Sequence, residues 1–272
     1  MNTESTKNYQ LLTANKLKII AVITMFFDHF VTVFMPNNEP LNLIFRLLGR
    51  TAAPVFCYFI AVGFNYTSNV KKYILRLLIF AAISHIPYNI CFGYKITPTI
   101  SLKFFEATSV IWPLALGLIA LALIKNVKIN FMIKPVLNNA LNLALKAVIL
   151  AVCCAAAYAS NANWYFIAVL WVVAFGLFYG NFKLQITAFC FIGIIHLLWQ
   201  LKRYGFFDET QPQWFQLGIF LAVPLLLLFN GKPGKKSKFM TWFFYVFYPT
   251  HLILLFLLNK FTPLAEIIYG LL

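Results

Sequence analysis

The sequence predicts an all-α polytopic membrane protein, a bundle of about nine transmembrane helices (ten as the alternative) with its N-terminus in the cytoplasm. Three observations lead there. Of the 272 residues, 62% are hydrophobic and 11% charged, where a soluble domain is about half apolar and about a quarter charged. The apolar residues come in runs close to the ~20 residues a helix needs to cross the hydrocarbon core. Lys and Arg, which give a net charge of +15, gather between alternate runs. That pattern reports orientation rather than nucleic-acid binding, and no nucleic-acid partner is expected.

The expected spans are Leu17–Met35, Leu43–Tyr66, Tyr73–Phe92, Thr108–Ile124, Ala140–Ala159, Trp164–Tyr179, Leu184–Gln200, Trp214–Phe229 and Phe239–Leu258. Only Gly180 to Lys183 separates the sixth from the seventh, so these two form a tight hairpin. With the N-terminus inside, the inner segments hold most of the cations, among them Lys16, Lys71, Lys72, Arg76, Lys125, Lys183, Lys232 and Lys238. Nine spans then leave the C-terminus outside. No cleavable leader is expected, because Asp28 and His29 interrupt the first apolar run. The whole of 1–272 reads as one transmembrane domain. It has a cytoplasmic segment over 1–15, a basic cytoplasmic loop over 230–238 and a possible interfacial helix over 262–272, the last being the short candidate for a tenth span. The five Cys all lie in apolar runs without paired metal spacing, so they read as core residues and no metal is expected.

The chemistry sits in polar residues that a span should not carry. Asp28, Arg46, Arg50 and Lys146 all fall inside expected spans. An ionisable group at the bilayer centre costs at least about 2.5–3.5 kcal/mol on insertion scales, so such groups mark functional interiors. His29, His85, His196 and His251 each follow a lysine by thirteen residues (Lys16, Lys72, Lys183, Lys238). At ~1.5 Å per residue each lies about 20 Å along its helix. Arg50, entering from the opposite side, reaches a similar depth. The four His, Asp28 and one or two Arg are therefore expected in one layer of the outer half of the membrane. Neighbouring Asp28 and His29 diverge by ~100° on a helix, so Asp28 is expected to meet Arg50 or Arg46 while His29 points into a cavity. Pro249, just before His251, is expected to break its helix and free backbone groups there. The run Asn230-Gly-Lys-Pro-Gly-Lys-Lys-Ser-Lys238 could cradle phosphates or face anionic lipid.

An ordered set of motifs resembles the TraX family of membrane acetyltransferases, within a transmembrane acyltransferase superfamily. It comprises Leu17-Lys18-Ile19-Ile20-Ala21 with Thr24-Met25 and Asp28-His29, and Gly49-Arg50 with Pro54 and Phe56. It continues with Gly63-Phe64, Lys72-Tyr73, Arg76-Leu77, Ile83-Ser84 and Pro87-Tyr88. It closes with Asn230-Gly231-Lys232, Phe244-Tyr245, and Phe247-Tyr248-Pro249 with His251-Leu252. The chain departs from the family at an Asp-Tyr-Gly stretch, whose place is taken by Asn161-Ala162-Asn163-Trp164-Tyr165, without an Asp.

The resemblance implies transfer of an acetyl group from cytoplasmic acetyl-coenzyme A to an amine or hydroxyl at the membrane or cell surface of a bacterium, in the cytoplasmic (inner) membrane. The acceptor is an unidentified protein, peptide or glycan. The expected catalytic set is His29, Asp28, Arg50 and His251. His29 is the general base, with direct acetylation of His29 as a second route. Asp28 balances Arg50, and Arg50 or His251 steadies the oxyanion. The expected donor-binding set is Arg46, Lys72, Arg76, Asn230, Lys232, Lys235, Lys236 and Tyr248. A transporter, or a non-enzymatic assembly factor of a conjugation or secretion system, is the alternative.

Overall fold

The computed structural model describes residues 10–94, 107–128, 135–205, 212–235 and 237–271, and these are almost entirely helical. The helices are α1 (Ala14–Phe34), α2 (Pro40–Gly49), α3 (Ala52–Tyr66), α4 (Val70–Cys91), α5 (Ile111–Asn126), α6 (Pro135–Ala159), α7 (Tyr165–Leu177), α8 (Phe182–Tyr204), α9 (Ala222–Leu227), α10 (Lys238–Phe261) and α11 (Leu264–Leu271). A 3-10 helix, Trp214–Leu221, leads into α9. Two isolated bridges, Leu12 with Phe229 and Thr108 with Ala162, are the extended pairings among the described residues.

Among the described residues, six helical segments are long and apolar enough to cross a membrane: α1, α2 with α3, α4, α6, α8 and α10. Ile111–Asn126, Tyr165–Leu177 and Trp214–Leu227 occupy three further expected positions but are only 10–17 residues long. The first two are buried nearly all round: Ala115, Leu118, Leu121, Ile167, Val169 and Trp171 are fully enclosed. A helix apolar on every face belongs in the interior of a bundle, and apolar content alone could not separate that role from a full span. The eight-residue α11 is too short to cross.

The expected second span is not one helix. Pro54 has no N–H, so the carbonyl of Arg50 loses its helical donor, and the pyrrolidine ring crowds that carbonyl. The chain breaks there: Thr51 N–H and Thr51 Oγ1 both turn back to the Leu48 carbonyl, and α3 restarts at Ala52. Arg50 thus sits at a junction between two helices. Pro249 does the opposite of what the sequence predicts. α10 runs through it without interruption.

The chain divides into two compact units, Met1–Phe59 with Gly193–Leu272, and Ile60–Ile192. In the first, α1 packs on α2 and on α10, and the 3-10 helix packs on α2. In the second, α5 is clasped by α4, α6 and α7. There the α7–α8 hairpin is fixed by Gln185 Nε2 donating to the Phe175 carbonyl at 2.7 Å and Trp171 Nε1 donating to the Phe189 carbonyl at 3.3 Å. Lys146 lies midway along α6, partly buried.

Candidate functional site

Asp28, His29, Arg46, Arg50, Tyr248 and His251 all belong to the first unit. Asp28 and His29 are consecutive in α1 and both buried, 4% and 8% exposed, yet they face different partners.

Asp28 Oδ2 pairs with Arg50 Nη2. Gly49 permits this, since a Cβ there would overlap the Asp28 side chain. Asp28 Oδ1 has no hydrogen-bond partner among the described residues. Arg46 lies one turn before Arg50. Its guanidinium carbon is 4.0 Å from the centroid of the Phe215 ring, with that of Arg50 at 5.4 Å. Arg46 Nη1 also donates to Asn37 Oδ1 at 3.3 Å. Phe215 comes from the 3-10 helix and is fully buried. That helix seats closely on α2 because Gly218 lies against the Leu47 carbonyl. Asp28 thus pairs with Arg50 and lies within electrostatic reach of Arg46, so among the described residues two guanidiniums meet one carboxylate over an aromatic face in a low-dielectric setting.

His29 does not point into an open cavity as expected. Its Nδ1 lies 2.8 Å from His251 Nε2, with the rings nearly parallel at 9° and 5.1 Å apart. Phe247 stacks on His251 at 4.8 Å, and Tyr248 stands edge-on to both imidazoles, 6.3 Å from His29 and 5.4 Å from His251. The hydrogen bonds fix the tautomers of the neutral pair. His251 Nδ1 is 2.9 Å from the Phe247 carbonyl, which can only accept, so Nδ1 carries the proton. His251 Nε2 is then an acceptor, and His29 Nδ1 donates to it. In this tautomer the unprotonated nitrogen of His29 is Nε2.

His196 is also buried in this unit and lies within electrostatic reach of Gln216 and Arg50. His85 belongs to the second unit, where it approaches Asn89 of its own helix, and of the four His, His29 and His251 form one bonded pair. The donor-binding set divides likewise. Arg46 and Tyr248 stand at the site. Asn230, Lys232 and Lys235 lie on the loop between α9 and α10, where Asn230 Oδ1 accepts from Lys232 N–H at 3.0 Å and both lysines are exposed. Lys72 and Arg76 belong to the second unit. Asn69 caps α4, its Oδ1 accepting from the Lys72 backbone N–H at 2.8 Å, and Arg76 lies over the Tyr73 ring. Lys236 lies outside the described residues. Sequence reasoning missed Phe215, for which a lone Phe in an apolar run gives no signal.

An apolar groove of about 540 Å³ runs between α1 and α10, lined by Ile19, Ile23, Phe26, Phe243, Phe247 and their apolar neighbours. It offers no polar group.

These features define an all-helical membrane protein with a buried histidine pair beside a buried, positively charged ion cluster. The chain belongs to the TraX family, described as TraX protein, which matches residues 13–259, from the cap of α1 to the end of α10. It is 28% identical over 245 residues, 89% of this chain and 94% of the relative, to a probable fimbrial assembly protein FimC, serogroup H1, of Dichelobacter nodosus. Over 98 residues, 36% of this chain and 34% of the relative, it is 35% identical to the uncharacterized protein RP591 of Rickettsia prowazekii (strain Madrid E). No solved structure matches the chain.

Proposed function

We propose that the protein serves the assembly of a fimbria-like surface structure from within the bacterial cytoplasmic membrane, and that its contribution there is acetyl transfer. The assembly role is supported by the named FimC relative, which aligns along nearly its whole length. The chemical role is supported by one observation above others: the buried His29–His251 pair, hydrogen-bonded at 2.8 Å, in which the Phe247 carbonyl holds the His251 proton on Nδ1.

In this reading His29 takes the proton from an acceptor amine or hydroxyl, a task suited to neutral imidazole near pH 7. His251 is a positioning residue. Both its nitrogens are engaged, by Phe247 and by His29, so it has no N–H for an oxyanion. That role passes to the Arg46–Arg50 corner, whose excess positive charge favours developing negative charge. Acetyl-coenzyme A, when bound, supplies the acetyl group as an activated thioester. Lys232 and Lys235 are exposed on the glycine-containing loop and fit its phosphates, on the face the lysine distribution assigns to the cytoplasm.

The FimC relative is named as an assembly protein, and this favours a second reading in which the chain assembles without catalysing. One experiment separates the two. His29→Gln is placed in cells that need the gene for their surface structure, and labelled acetyl-coenzyme A is supplied to their membranes. Loss of both acetyl transfer and assembly supports the enzyme. Intact assembly without transfer leaves the assembly role and removes catalysis from it.

A further inference from the structure

We propose that the seam between the end of α8 and the 3-10 helix, lined by His196, Gln200, Gln213 and Gln216, holds the acceptor of acetyl transfer, and that this acceptor is a neutral hydroxyl of a glycan rather than an amine. The acceptor's role rests on the acetyl-transfer reading; the polar seam itself does not.

The two helices meet in register within the first unit. Gly193 of α8 lies against Ile219 and Phe220, whose side chains a Cβ there would meet at 3.1 Å. His196, one turn further along α8, is in reach of Gln216, one 3-10 turn back from Ile219. The same register runs on from Gln200 towards Gln213, and Gln216 Nε2 donates to Gln213 Oε1 at 3.4 Å. His196, Gln213 and Gln216 are buried and Gln200 is half-buried. Every other residue of 193–200 and 213–221 is apolar or glycine, so the polar side chains of both helices are spent on this one seam.

Polar residues between membrane helices commonly bond one another and hold the helices together. Such glue leaves no polar atom over. Here Gln200 Oε1 and Gln216 Oε1 are buried and complete no hydrogen bond among the described residues. An unmet buried carbonyl is costly, so the seam suits an occupant that donates. Arg46, whose guanidinium lies over the ring of Phe215 beside Gln216, keeps an unmet donor in Nε. The unmet carbonyl oxygens disfavour an anion. An ammonium finds no carboxylate in the seam, whose members are amides and an imidazole, and Asp28 is taken by Arg50. A hydroxyl both donates and accepts without charge, and so answers both kinds of atom. The two unmet carbonyls come from different helices. Several hydroxyls on one rigid frame, as on a sugar ring, can meet them together.

Arg50 connects the seam to the histidine pair, since its charge reaches both His196 and His29. The lysine distribution sets Lys183 inside, so α8 runs outward, and His196, thirteen residues or about 20 Å further along, lies in the outer half of the membrane. The acceptor thus enters from the cell surface, opposite the face given to the donor's phosphates. The groove between α1 and α10 offers no polar group and would leave a sugar's hydroxyls unpaired. In the reaction the sugar oxygen gives its proton to His29 and forms the C–O bond of an ester as the thioester C–S bond breaks. The sulfur leaves as the thiolate of coenzyme A, which that proton neutralises.

The test uses the full chain in membranes of the cells that make it, which carry its natural acceptor. Labelled acetyl-coenzyme A is the probe and membranes lacking the gene are the blank. The wild-type label is expected to be released by mild alkali, as an ester is, and to stay with saccharide fragments after proteolysis. Gln200→Leu and Gln216→Leu are each expected to lower this labelling at least about 10-fold, while acetyl-coenzyme A binding and the unfolding midpoint of the purified variants hold. Interhelical glue would behave otherwise: a midpoint that falls together with the labelling overturns the proposal. Wild-type labelling in both variants overturns it too, and alkali-stable label, or label that stays with peptide, overturns the glycan hydroxyl. Absence of any gene-dependent label in wild-type membranes removes the acetyl-transfer reading, and the acceptor named here falls with it; gene-dependent label that ignores both glutamines sinks the seam alone.

Discussion

His29 and His251, 222 residues apart in the chain, share one hydrogen bond of 2.8 Å between nearly parallel rings. Because the Phe247 carbonyl holds the His251 proton on Nδ1, the second histidine dictates the tautomer of the first. His29→Ala is therefore expected to lower labelled acetyl transfer in membranes by roughly 10²–10⁴-fold, the usual worth of a general base. The decisive comparison is at His251. Gln can still accept from His29 and donate to Phe247, while Phe can do neither. Activity should fall in the order wild type, His251→Gln, His251→Phe, and equal activity in the last two would remove His251 from the mechanism.

The Asp28–Arg50 pair predicts unequal costs for its two halves. Asp28→Asn strands two guanidiniums around Phe215, and a buried pair broken from one side typically costs about 3–5 kcal/mol. Arg50→Met leaves Asp28 with Arg46 still in electrostatic reach, so its loss is smaller. Thermal unfolding in detergent should rank Asp28→Asn below Arg50→Met, with the double variant Asp28→Leu/Arg50→Met above Asp28→Asn.

Two glycines set how closely α2 is approached. Gly49→Ala drives a methyl group into the Asp28 side chain, and Gly218→Ala drives one into the Leu47 carbonyl. Overpacking of this kind costs about 1–3 kcal/mol. Gly218→Ala should be the worse of the two, because backbone yields less than a side chain. Unfolding midpoints of the purified variants check the order.

Phe215→Leu keeps most of the volume and removes the aromatic face under Arg46 and Arg50. It is expected to lose about 0.5–2 kcal/mol of stability from each cation it no longer faces, and to lower activity through the Arg pair. Unchanged unfolding and unchanged transfer would show that the ring is filler.

Much of this site was legible in the sequence. Asp28, Arg50, His29 and His251 stand out because each is costly in lipid, and their helical depths agree because rise per residue is fixed. The partition of Asp28 towards Arg50 follows from the ~100° between consecutive side chains. Other features were not legible. Nothing local tells a short interior helix such as Tyr165–Leu177 from a full span, since both are apolar on all faces. The break at Arg50 needed Pro54 to be read four residues backwards. The union of His29 with His251, and of Phe215 with Arg46, depends on which helices pack together, and one sequence does not specify that.

The split of the buried ion pair across α1 and α2 also bears on how the chain enters the bilayer. α1 is complete at Phe34, sixteen residues before Arg50 is synthesised. A lone carboxyl inside a span disfavours lateral release, by up to about 2.5–3.5 kcal/mol at the bilayer centre, and that cost falls when the guanidinium arrives on the following helix. Biogenesis should therefore commit α1 and α2 to lipid together, as one hairpin rather than in sequence, so that a residue pair chosen for the finished site also sets the order of its construction.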